Sequence, residues 1–271
     1  MAKTLRLPLK SPVAMQGTEL GIWVADRDSR TLTCFEASEG NSVGRITLPE
    51  PPVALAAADG FVAAGFTSGI IAGYDPKSGS QLWRGAVGSG DLEMKSGTEH
   101  VWAAERGGGV VIAYDRSGTG SRVPTEGMQH FAPGAEGVFW LSQEKVLVHS
   151  PTQGERRTSP LPDDSIAGSM VACANAVWLS IPGGLLLLDQ YSLQVRTTLK
   201  TPEGPVLHLM CCDGKLIGGS RGVFVLNPMS DSMAHALPIQ PASPLRAIAA
   251  VPAKVWALES TEPLVHIADI L

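Results

Sequence analysis

Short apolar runs alternate with turn residues along the whole chain. The stretch from Val101 to Asp115 shows the grammar. Val101-Trp102-Ala103-Ala104 is one run, Gly107-Gly108-Gly109 interrupts it, and Val110-Val111-Ile112-Ala113-Tyr114 is a second run that ends at Asp115. Runs this short, bounded by Gly, Pro, Asp and Ser and carrying no helical period, predict strands. The grammar repeats. The position of Trp102 recurs as Trp23, Ala63, Trp140, Trp178, Ile217 and Trp256, at spacings of 38 to 40 residues. Each copy predicts four strands. A first one is often led by proline, as in Pro52-Val53-Ala54-Leu55, Pro205-Val206-Leu207 and Pro244-Leu245-Arg246. The tryptophan strand comes second. The third ends in an aromatic or apolar residue plus a polar one, as in Phe35-Glu36, Tyr74-Asp75, Tyr114-Asp115 and Leu188-Asp189. The fourth is more polar, as in Gln81-Leu82-Trp83-Arg84. Aspartate suits the third turn because its carboxylate accepts hydrogen bonds from the turn's own backbone.

Four strands per roughly 39 residues in seven copies predict an all-β, seven-bladed β-propeller forming a single domain over residues 1–271. The proline-led strand is then innermost and the polar strand outermost. The seventh copy stops without an outer strand. The chain begins with Thr4-Leu5-Arg6-Leu7-Pro8, which resembles the outer strand Arg45-Ile46-Thr47-Leu48-Pro49, and continues with Pro12-Val13-Ala14-Met15, which resembles an inner strand. The N-terminal strand is therefore expected to complete the last blade and close the ring, which removes an open sheet edge.

Composition narrows the reading. With 44 % hydrophobic and 17 % charged residues the chain has material for a large core and is far from a disordered composition. The net charge of −5 and the lack of any Lys/Arg block exclude nucleic-acid binding through a basic face. No apolar run approaches the ~18 residues of a membrane-spanning helix, so no membrane insertion is expected. The first residues lack an apolar core of signal-peptide length, and the expected compartment is the cytoplasm. Cys34, Cys173, Cys211 and Cys212 form no CxxC pair and are expected to be buried, reduced thiols.

The stretch Ile22-Trp23-Val24-Ala25-Asp26, followed by Leu32 to Glu36 and Gly44 to Pro52, resembles the YVTN, NHL and streptogramin-lyase-like seven-bladed propellers. Tyr74 to Trp83 resembles the repeat of PQQ-type propellers. The resemblance covers the whole chain and implies the fold. It implies no single job, because these repeats host lyases, dehydrogenases, scaffolds and sensors. In streptogramin lyases, glutamates in the turn after the second strand join histidines and a magnesium ion to eliminate across a lactone ester. The resemblance matches Glu105 and Glu259 to those acids. Arg106-Gly107 follows the first and Ser260-Thr261 the second, so neither has a neighbouring histidine to act as base, and no metal is expected. Adjacent cysteines flank the cofactor of quinoprotein dehydrogenases as a vicinal disulfide. This chain has seven short blades and no clear calcium-binding acid cluster, so PQQ is not expected and Cys211-Cys212 reads as two thiols.

Two further groups stand out. Glu93, Lys95, His130, His208 and Arg246 are polar residues on otherwise small, apolar inner strands, and are expected to face the central channel, where they would suit a small ligand. Arg27, Arg106 and Arg221 fall in turns between second and third strands, and on one face they would form a positive rim for an acidic protein partner. Trp83, on an outer strand, reads equally as a rim contact or as packing within its blade. His100, His149, His235 and His266 are scattered through different copies and predict no metal site. The leading expectation is a non-catalytic protein-binding or scaffold propeller, a subunit or accessory factor of a larger assembly. The alternatives are a lyase or hydrolase of the streptogramin-lyase type, with a metal-assisted site at one mouth, and a small-ligand sensor using the channel.

Overall fold

The computed structural model describes residues 2–88, 91–162, 168–201, 206–228 and 235–270. It consists of seven four-stranded antiparallel sheets arranged as a seven-bladed propeller. Blade 1 runs outward from Pro12–Thr18 through Gly21–Asp26 and Thr31–Phe35 to Ser42–Thr47. Blade 3 repeats this as Leu92–Ser96, Val101–Glu105, Val110–Tyr114 and Gly120–Pro124. Blade 6 begins its described inner strand at His208, and Pro205 lies outside the described residues.

Blade 7 is composite. Leu245–Val251, Lys254–Glu259 and Leu264–Asp269 supply three strands, and Lys3–Arg6 supplies the outermost. The register pairs Lys3 with Ile267, Thr4 with His266, Leu5 with Val265 and Arg6 with Leu264. The closure expected from the sequence is therefore present.

The core is divided among the blade interfaces. Each of seven buried clusters draws its residues from two neighbouring blades. The period-2 alternation of a strand explains how. On the second strand of blade 1, Trp23 and Ala25 pack against blade 2, and Ile22 and Val24 pack against blade 7. Both faces of the strand are buried, so it reads as an uninterrupted apolar run rather than an alternating one. The repeat tryptophan has the reach to bridge two sheets. Trp256 lies 6.1 Å from Phe35 of blade 1, centroid to centroid, and donates its indole N–H to the carbonyl of Ala37 at 2.8 Å.

Trp83 is neither a rim contact nor packed only within its own blade. It is 8 % exposed and stacks on Tyr114 of blade 3 with ring centroids 5.0 Å apart. Gly73 makes the room, since a Cβ there would lie 2.3 Å from the indole. The turn aspartates act as expected. Asp75 accepts from the N–H groups of Lys77 and Ser78, each at 2.9 Å, and Asp189 does the same for Tyr191 and Ser192.

The cysteines depart from the sequence expectation. Cys173 and Cys211 form a disulfide between the inner strands of blades 5 and 6, while Cys34 and Cys212 remain free. The expected pair of thiols at Cys211-Cys212 is thus one bonded sulfur and one thiol. Burial pushes the Cys34 thiol up to about 11, which leaves it unreactive near neutral pH.

Deleting residues 1–9 removes a whole outer strand together with the buried side chain of Leu7. The truncated chain is expected to melt at least roughly 10 °C lower, or to fail to fold, when followed by circular dichroism. An unchanged melting curve would refute the closure role.

Candidate functional site: one mouth of the central channel

Every inner strand lies at the edge of its sheet, so its outer-facing backbone N–H and C=O groups have no strand partner. The strand order is the same in all blades, so all seven inner strands run the same way around the axis. Their first residues gather at one mouth, beside the turns that join second and third strands. The enclosed space is about 450 Å³ and is touched by all seven inner strands. Its wall mixes small residues, Ala14, Ala54, Ala132, Ser169 and Ala247 among them, with larger apolar ones such as Met15, Leu55 and Ile248.

Charge is concentrated on blade 3. Glu93 is 8 % exposed. Its Oε1 lies 3.2 Å from Lys95 Nζ, and its Oε2 lies 3.4 Å from His130 Nδ1 and 3.7 Å from Arg106 Nε. The last two contacts are not hydrogen bonds, so the buried Glu93 Oε2 and His130 Nδ1 have no hydrogen-bond partner among the described residues. Burial alone would raise the carboxyl's pKa. The charge of Lys95, then the close contact with His130 and its charge, then the charge of Arg106 outweigh that, and Glu93 is held below the ordinary glutamate range.

The repeat shows how unusual this is. Glu93 pairs with Ala104, two residues beyond the repeat tryptophan. At that register position blades 1, 2 and 7 carry Ala14, Ala54 and Ala247, and blade 6 carries His208. His130 pairs with Leu141, one residue beyond the tryptophan, where the same blades carry Met15, Leu55 and Ile248. Two neighbouring blades thus replace an alanine and a large apolar residue by a carboxylate and an imidazole that meet.

Arg246 reaches the channel by another route. The inner strands of blades 1, 2 and 7 each carry a bulge near their start, at Val13, Val53 and Arg246. A bulged residue has no ladder partner, and its side chain is re-aimed. Here all three line the channel. Arg246 donates to the carbonyl of Ser260 at 2.7 Å and forms no ion pair among the described residues. His208, on blade 6, bonds the carbonyl of Leu245 at 3.0 Å, and burial holds its pKa below the ordinary histidine range. A side chain that is mostly neutral at pH 7 therefore faces the charged wall.

The remaining candidates are placed differently. Arg27 and Arg221 are exposed in turns on the face of this mouth. Arg106 shares that face but turns inward to Asp91, at 3.3 Å, and Glu93. The three arginines therefore do not form one free cationic rim. Glu105 is half-buried with its carboxyl against Gly88, where a Cβ would lie 2.2 Å from Oε2.

Glu259 corrects the expectation that no histidine stands beside the turn acids. Its Oε1 is 2.7 Å from His266 Nε2, and it also accepts from the Ala242 N–H at 3.1 Å and the Ser243 hydroxyl at 2.9 Å. His266 Nδ1 in turn meets the Thr4 hydroxyl at 3.0 Å. This chain of bonds ties the closing strand, the third and second strands of blade 7 and the connection from blade 6. Asp26 does similar work in blade 1, where it accepts from the N–H groups of Lys10 and Ser11 at 2.9 and 2.8 Å. The missing signal was seven residues of separation, which the antiparallel turn folds into contact.

A magnesium site at Glu105 and Glu259 does not fit these positions. The two acids sit on blades 3 and 7, and both oxygens of Glu259 are already engaged. Among the described residues no group of three or more His, Cys, Asp or Glu side chains is arranged to hold a metal ion. Among them, too, no helix is long and apolar enough to cross a membrane.

Glu259 is held below the ordinary glutamate range, because His266, Ala242 and Ser243 together outweigh the opposing effect of burial. A depressed carboxylate contributes stability that is present above its unfolded value of about 4.3 and is lost as pH falls through the folded value. Glu259→Gln is expected to cost about 1–3 kcal/mol at pH 7 in urea unfolding. Its deficit against the native protein should shrink from pH 6 to pH 3. A deficit independent of pH would show that the carboxylate's charge is not what these bonds use.

No protein-family model and no curated protein matches the chain. Among solved structures it is similar to a streptogramin B lyase, with a TM-score of 0.80 and 12 % sequence identity, over 100 % of this chain and 98 % of that one. At that identity the likeness is one of fold.

Proposed function

We propose that this propeller binds a small molecule at the mouth of its central channel where Glu93, Lys95, Arg106, His130, His208 and Arg246 gather. The observation that carries this reading is the buried Glu93–His130 pair. At its two register positions blades 1, 2 and 7 hold alanine and large apolar residues, its Glu93 lines a space of about 450 Å³, and Glu93 Oε2 and His130 Nδ1, 3.4 Å apart, make no hydrogen bond among the described residues. A space of that size with a few convergent polar groups suits a small ligand. A protein-docking scaffold needs a committed face, and the inward turn of Arg106 weakens the rim of arginines that would have marked one.

A lyase reading has one observation behind it beyond the shared fold with streptogramin B lyase. A carboxylate beside an imidazole is the pairing that general-base catalysis uses. It is a second reading at the same mouth.

A thermal-shift screen of a few hundred metabolites, run on the native protein and on Val53→Trp, tests the proposal. The substitution places a large ring at a channel-lining bulge. Compounds that raise the melting temperature of the native protein by about 2 °C or more, and lose that effect in the variant, are the expected result. Hits that persist in the variant, or no hits, would overturn the channel reading. Mass spectrometry of the same mixtures separates binding from catalysis, because a compound consumed by the native protein and spared by His130→Gln indicates a lyase.

A further inference from the structure

We infer that the ligand of this channel mouth is a small hydroxylated organic anion, a sugar or polyol carrying a carboxylate or a phosphate. The inference rests on the channel being the binding site and adds the chemistry of what it takes.

The charge balance gives the anion. The charged residues lining the space are Lys95, Arg106 and Arg246 against Glu93, with Asp91 outside the lining but paired with Arg106, which leaves the cations in excess by one. The protein as a whole carries a net charge of −5. An acidic protein has therefore placed a net positive charge in a concave site whose other walls are mostly apolar, which focuses the potential inward. Glu93 is already matched by Lys95 and Arg106, so it does not cancel Arg246. The bulge carries the Arg246 guanidinium to the mouth, where its one bond to the Ser260 carbonyl leaves most of its five N–H donors available. A guanidinium with a neutral partner and free donors is suited to a carboxylate or phosphate, which it can grip through two parallel bonds.

The polar wall gives the hydroxyls. The inner strands of seven blades are sheet edges, so backbone N–H and C=O groups without a strand partner face the channel, and side chains take only some of them, as Ser96 does the Ala57 N–H and Ser169 the Leu209 N–H. Glu93 Oε2 needs a donor, and His130 Nδ1 beside it needs a partner of either kind. An apolar ligand would strip water from these groups and replace nothing, which leaves each buried one unsatisfied. A hydroxyl both donates and accepts, so a polyol serves an edge of alternating N–H and C=O groups. The small side chains of Ala14, Ala54 and Ala247 leave those edges reachable.

The test keeps the scaffold and varies the charge. Isothermal titration would compare glucuronate and glucose 6-phosphate with neutral glucose, cationic glucosamine and the hydroxyl-free dianion succinate. At least one of the two sugar anions is expected to bind ten times more tightly than each of the three controls. Arg246→Ala and Lys95→Gln should each weaken it about tenfold or more, with circular dichroism confirming that the variants fold. Glucose or glucosamine binding as tightly would overturn the anion, and succinate doing so would overturn the hydroxyls. Affinity for the sugar anions that neither variant alters would place them elsewhere and overturn the inference. If no member binds while the metabolite screen yields a hit that Val53→Trp abolishes, the ligand class is wrong and the channel reading stands. If both experiments are empty, both readings fall.

Discussion

Apolar packing between neighbouring blades holds this molecule together, and that packing is complete only in a closed ring. Each sheet buries both faces, one against the blade before it and one against the blade after. An open ring would expose one apolar face at each end. Closure depends on a strand of four residues, Lys3–Arg6, laid along Leu264–Asp269. Leu5 and Leu7 belong to the cluster shared by blades 7 and 1, so the strand seals the same interface that its pairing completes. The ion pairs around it, Lys3 with Glu39 and Arg6 with Glu262, are exposed and contribute little by themselves. The bonds from Thr4 through His266 to the buried Glu259 fix the register, because a shift of one residue would turn Thr4 away and expose Leu5.

The fold was legible because the repeat is a packing requirement written every 38 to 40 residues. A second strand buried on both faces must be apolar at every position, and an aspartate at the end of the third strand satisfies its own turn. Both features survive in single copies and reinforce one another across seven. The site was legible in part. Glu93, His130, His208 and Arg246 stood out as polar residues on inner strands, and all lie at or beside the channel mouth. Their contacts were not legible, because they join different blades and follow from register rather than spacing. Arg106 reads as a rim residue from its place in a turn, and only the register of blade 3 shows it leaning back over Glu93. Arg246 gains its position from a bulge that no local motif announces.

The cysteines show a signal that local spacing hides. Cys173 and Cys211 are separated by 38 residues, one repeat. Residues one repeat apart occupy near-equivalent places on adjacent blades, and near the ends of inner strands those places are close enough to bond. Searching for CxxC pairs tests short loops and misses a bridge whose length is the period of the fold.

The strongest reason to read the channel mouth as a site is that the ring does not need it. At the register positions of Glu93 and His130, blades 1, 2 and 7 close well with alanine and with methionine, leucine or isoleucine. Burying a carboxylate beside an imidazole costs desolvation that an apolar pair avoids, and replacing such a pair by apolar residues is often neutral or stabilising. Contacts with Lys95 and Arg106 keep Glu93 ionised but leave its Oε2 and the facing His130 nitrogen unsatisfied. Packing therefore does not account for the pair. The structural acids of the same fold behave in the opposite way. Asp26 and Glu259 are at least as closed to solvent, and each accepts at least three hydrogen bonds from the chain around it. A carboxylate that serves the fold is saturated by the fold. Glu93 is ionised, buried and unsaturated at the edge of an open space, which is the state of a group with capacity reserved for something that enters.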